Sequence, residues 1–116
     1  LRSHISAKDA SFLVIFMHHP PFSVGSNWID KIGLKAGRDE FLRLIQHPKI
    51  KLVVSGHVHQ ESQMEIGSVK LVTSPSTCVQ FKPYSDVFAL GNSNPGYRLI
   101  TLWENGEFST EVVRLT

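Results

Sequence analysis

The chain has 116 residues, 41% of them hydrophobic, with a formal net charge of +2 and one cysteine. That is enough for one domain with a modest core. The scattered lysines and arginines form no basic run that would follow a nucleic-acid backbone, and no apolar stretch approaches the ~20 residues that span a bilayer, so no nucleic-acid or membrane partner is expected.

Leu1 and Ile5 fall on one helical face, as if a longer helix had been cut, so the reading at the start is a fragment. A polar connection, Ser6 to Ala10, leads into the apolar run Ser11 to Met17, predicted as a strand buried on both faces in the middle of a sheet. His18-His19-Pro20-Pro21 stops it, because proline has no amide hydrogen for the ladder. Residues 22–37, with Gly25, Gly33 and Gly37, read as a long loop over the strand end. A helix is expected from Arg38 to about Gln46, with Asp39 and Glu40 at its positive end, Phe41, Leu42, Leu44 and Ile45 turned inward, and Pro48 as its stop. The strand Lys51 to Ser55 then completes a β-α-β unit with parallel strands.

Shorter alternating segments follow. Gln63 to Ile66 and Val69 to Thr73 read as a hairpin closed at Gly67-Ser68, and Tyr97 to Glu104 with Glu107 to Leu115 as a second, closed at Asn105-Gly106 by a type I′ turn. Ser74 to Gly96 between them is irregular. Cys78 stands alone, without a disulfide partner or a Cys-x-x-Cys motif, and is read as a small buried side chain in a soluble, cytoplasmic chain.

Of the six histidines, His4 and His47 are ordinary surface positions, and His47 suits the negative end of its helix. The other four are paired at the C-terminal ends of two neighbouring strands, where open α/β sheets carry their sites. On an extended chain, residues two apart share a face, so His57 and His59 are expected side by side. Imidazoles suit zinc, iron, manganese or copper, but a catalytic pair of ions commonly needs carboxylates as well. Asp30 and Glu61 are the nearest in sequence and are read as solvated surface residues, so the ligand set looks half present.

His18-His19-Pro20-Pro21, a loop and helix, then Gly56-His57-Val58-His59 resembles the C-terminal half of the calcineurin-like metallophosphoesterases. With Ser26 to Asp30, Ser55 to Gln60 and Pro75 to Pro83 added, nearly the whole chain is similar to the bacterial class III cyclic-nucleotide phosphodiesterases, which act on 3′,5′-cyclic AMP. The resemblance implies an α/β sandwich, the C-terminal half of a four-layer α/β/β/α fold. It also implies two divalent ions, manganese or iron and zinc as a further option, holding a bridging hydroxide that attacks phosphorus. Carried over, His18 would bind the second ion together with His57, and His59 would bind the first. His18 rather than His19 follows the family's order of ligand, one residue, then proline, with His19 as the alternative. The family's Asp-x-His, Gly-Asp and Gly-Asn-His segments, which supply the other ligands and a catalytic histidine, are absent from these 116 residues, so this chain alone is expected to be inactive.

Four residues are candidates for substrate contact: His19; Trp28, which either stacks on a base or, as we favour, anchors its loop; and Thr77 and Cys78, which either line the pocket or are structural. The substrate class implied is a cyclic nucleotide. The rivals are a relative acting on glycerophosphodiesters or other phosphodiesters, and a noncatalytic association module. Open sheet edges in such a half would invite a dimer or strand exchange.

Overall fold

The computed structural model describes residues 1–116, with the elements α1 (Arg2–Ser6), β1 (Leu13–Met17), α2 (Asn27–Asp30), α3 (Arg38–Leu44), β2 (Ile50–Ser55), β3 (Ser62–Ile66), β4 (Val69–Thr73), β5 (Gly96–Leu102) and β6 (Phe108–Arg114). The sheet forms around β2, whose Ile50, Leu52 and Val53 are 0% exposed. It pairs in parallel with β1 on one side and β4 on the other, and β3 closes the sheet antiparallel to β4, giving the order β1-β2-β4-β3. The β1-α3-β2 crossover is the expected strand-helix-strand unit.

Alternation along β2 sorts its side chains onto two faces. Val53 joins Ile45, Val58 and Leu71 in one cluster, against which Ile5, Phe41 and Leu42 of the helical layer pack. Leu52 and Val54, with Val72, face the other way and meet Ile100 and Phe108 of the β5-β6 hairpin. The chain is therefore α/β, layered as helices, four-stranded sheet and two-stranded sheet, and no helix lies beyond the hairpin, whose outer Tyr97 and Leu99 are exposed. No helix is long and apolar enough to cross a membrane.

Several local expectations are corrected. Within these 116 residues β1 lies at the sheet edge rather than in the middle, and its Phe16 is 66% exposed. An apolar run reports what a strand can bury, not how many neighbours it has. The loop after β1 contains the short helix α2, and Asp30 in it is no solvated surface residue: its two carboxylate oxygens accept the Val24 and Gly25 N–H groups, each at 3.0 Å, closing the loop on itself.

The first hairpin turns at Gly67-Ser68 with Gly67 at φ 59°, the positive angle a type II′ turn needs at its first central position. The second does not use type I′. Asn105 keeps a negative φ, Gly106 takes φ 87°, and Trp103 and Glu107 pair across a three-residue loop. That is a type I turn followed by a left-handed glycine, which Asn-Gly serves equally well when glycine stands third in the loop.

Candidate metal centre

The parallel pairing of β1 and β2 brings their C-terminal ends together, and the Gly56 N–H donates to the His18 carbonyl at 3.0 Å, fixing the two histidine segments side by side. Beyond Ser55 the chain is not extended. His57 has φ 67° and His59 φ 48°, and a 2.7 Å hydrogen bond from Val58 N–H to the Gly56 carbonyl encloses His57 in a γ-turn of positive φ, a rare and strained form. Between the two histidines Val58 is 1% exposed and sits in the core. The expectation of an extended segment is thus corrected: two left-handed residues on either side of a buried valine turn both half-buried imidazoles away from it, toward different neighbours.

His57 meets the histidines of β1. Its ring centroid lies 4.3 Å from that of His19 and 5.2 Å from that of His18, and those two are 5.1 Å apart. His18 and His19 are both exposed and both reach His57, so the fold brings together both members of the first pair. His59 stacks on Phe81 at 4.1 Å, and its Nδ1 donates to the Val79 carbonyl at 2.9 Å.

The Nε2 atom of His57 is buried with no hydrogen-bond partner. A buried polar atom left so is costly, and an imidazole nitrogen, in the tautomer that leaves it unprotonated, can ligate a divalent ion. His57 is also kept neutral, as a ligand must be. Burial pushes its pKa below the ordinary 6.5, and the charges of His19, His18 and His59 push in the same direction. The donor set therefore fits a metal in kind. It is incomplete in number, since no group of three or more His, Cys, Asp or Glu side chains in this chain is arranged to hold an ion by itself. Asp30 is committed to backbone amides, and Glu61 pairs with Arg114 at 3.3 Å.

A pH effect follows with a definite sign. Because the folded pKa of His57 lies below 6.5, the unfolded chain binds more protons in that region, so stability falls as pH drops through 6.5 and is fully present above it. Urea unfolding of the metal-free chain should show a lower midpoint at about pH 5.5 than at about pH 7.5, with a smaller difference in His57→Gln. Equal differences in the two proteins would contradict this.

Trp28 is wedged edge-on between Phe81 at 5.0 Å and Phe88 at 5.2 Å, tying the α2 loop to the segment after β4. Thr77 and Cys78 are both exposed, at the tip of a turn held by the buried Gln80. The buried reading of Cys78 is corrected: the Ser76 hydroxyl accepts its backbone N–H at 3.0 Å, and this local turn points the thiol outward. Sequence reasoning missed Val79 and Phe81, the two partners of His59, and no short-range pattern links positions some twenty residues apart.

Residues 1–61, which contain both histidine pairs, match the family model described as calcineurin-like phosphoesterase. A relative from Vibrio vulnificus, named 3′,5′-cyclic adenosine monophosphate phosphodiesterase CpdA, is 42% identical over 99% of this chain and 42% of its own length. One of the same name from Pseudomonas aeruginosa is 39% identical over 99% of this chain and 42% of its own length. A 3′,5′-cyclic-nucleotide phosphodiesterase from Nostoc is 40% identical over 88% of this chain and 38% of its own length. The chain spans about four-tenths of the length of these curated relatives.

Proposed function

Since this chain belongs to the calcineurin-like phosphoesterases, we propose that it contributes part of the metal-binding face of a phosphodiesterase that hydrolyses cyclic nucleotides, 3′,5′-cyclic AMP among them. The observation that carries this reading is the buried, unpartnered Nε2 of His57, kept neutral beside His18 and His19 at two parallel strand ends. The choice of cyclic nucleotides rests on the names of the relatives.

His18 and His57 would hold one divalent ion and His59 another, with His19 the alternative to His18. When bound, such ions, manganese or iron with zinc as an option, supply Lewis-acid activation of water and of the phosphoryl oxygens. The chain's own part is to present neutral imidazoles from rigid strand ends. With His18 as ligand, the exposed His19 is free to donate a hydrogen bond to a phosphoryl oxygen. The carboxylates that balance two divalent charges would come from polypeptide outside these 116 residues, because Asp30 and Glu61 are engaged elsewhere.

The test is hydrolysis of 3′,5′-cyclic AMP with added manganese, by this chain alone and by the longer protein that contains it. Activity in the longer protein only is expected. Turnover of glycerophosphodiesters in place of cyclic AMP would move the substrate class. No turnover of either would favour association without catalysis, a second reading that the unpaired edge of β1 and its exposed Phe16 support.

A further inference from the structure

The imidazole of His59 is held by two residues of the segment after β4, Val79 and Phe81. Its ring lies parallel to the Phe81 ring, 5° between planes and 4.1 Å between centroids. Its Nδ1 is 2.9 Å from the Val79 carbonyl oxygen. A carbonyl only accepts, so Nδ1 carries the proton, and in the neutral ring the lone pair is left on Nε2. The His59 carbonyl in turn accepts the Phe81 N–H at 3.1 Å, so backbone and ring of one residue are tied to the same partner segment.

That segment is itself braced. Gln80, between the two partners, is 4% exposed. Its Oε1 accepts the Ser76 N–H at 3.1 Å, and its Nε2 donates to the Ser76 carbonyl at 2.7 Å. Phe81 is supported edge-on by Trp28 at 5.0 Å and by Phe88 at 5.6 Å. The plate on which the imidazole rests cannot tilt without displacing two other aromatic rings.

We propose that the Val79 carbonyl and the Phe81 ring form a tautomer lock on His59, with Phe81 as a positioning residue: together they keep the proton on Nδ1 and leave the lone pair of Nε2 free for a metal. This rests on the reading of His59 as a ligand. Partners that orient a ligating histidine in this way change metal affinity by ~10–100-fold when removed. A ring that merely filled space would be replaceable by an aliphatic side chain of similar bulk. A ring that orients would not.

The first measurement needs no metal. Long-range proton-nitrogen NMR of the His59 ring in this chain, at neutral pH, should show a protonated Nδ1 and a bare Nε2. In Phe81→Leu, with the amide spectrum reporting retention of the fold, a mixture of tautomers is expected, and Phe81→Tyr should restore the single form. The second measurement is Mn²⁺ titration calorimetry on the longer protein, where Phe81→Leu should weaken binding by ~10–100-fold and Phe81→Tyr should restore it. A proton found on Nε2 in the unsubstituted chain overturns the proposal whether or not the variants fold, as does a Phe81→Leu protein that keeps both the tautomer and the manganese affinity. A locked tautomer in a protein that binds no Mn²⁺ would remove the metal reading and leave the lock standing.

Discussion

On the function proposed above, His57→Ala and His59→Ala, each made in a polypeptide that completes the ligand set, are expected to reduce metal-dependent phosphodiester hydrolysis by at least ~10³-fold, about 4 kcal/mol in the barrier. The size of the effect comes from what each imidazole does beyond its own bond. At His57 the substitution removes the buried, unpartnered imidazole nitrogen that lies next to His18 and His19. At His59 it removes a donor that no neighbour can replace, because the adjacent ring is the phenyl of Phe81. His47→Ala is the control. Its Nδ1 only accepts the nearby Lys49 N–H, and its loss should change stability by no more than ~0.5 kcal/mol and leave the rate unaltered. Initial rates against manganese concentration, with metal content measured on each protein, check this. Full activity in either site variant would remove that histidine from the ligand set.

Leu52→Ala is expected to cost about 3 kcal/mol in this chain, in the range measured for deleting fully buried leucines. Leu52 is 0% exposed, and its cluster with Val54 and Val72 is where Val14, Ile100 and Phe108 dock. The cavity would therefore open between the two sheets, and hydrogen exchange in β5 and β6 should speed up more than in β4. Leu99→Ala, on the exposed face of β5, should cost under ~0.5 kcal/mol. A Leu52→Ala cost below about 1 kcal/mol would mean that the hairpin does not rest on the sheet.

Much of the fold was legible because it is local. The apolar runs around Val14 and Val53, the amphipathic Phe41-Leu42 stretch and the stops at Pro20 and Pro48 define β1, α3 and β2, and short connections make them a β-α-β unit. Family membership was legible for the same reason, since both histidine pairs sit in short fixed segments inside the matched region.

What was not legible depends on contacts distant in sequence or on angles that sequence does not encode. The edge position of β1 is set by the absence of a neighbour, which its own residues cannot report. The positive φ of His57 and His59 has no glycine to announce it; histidine is among the residues that enter this region more readily than most, but pattern alone would not choose it. The partners of His59 lie some twenty positions away. Asp30 looked like any loop carboxylate until the α2 turn brought it under two amides.

The same two dihedral angles set a conflict between heat tolerance and chemistry. At φ 67° and 48° the backbone favours glycine, and a side chain bearing a β-carbon costs roughly 1–2 kcal/mol there. A laboratory selection that rewards only survival on heating would therefore find glycine at position 57, whose ring nitrogen is buried without a partner, among its easiest gains, and would erase that imidazole while improving the melting point. Variant libraries of this chain need sorting on metal uptake as well as on thermal resistance.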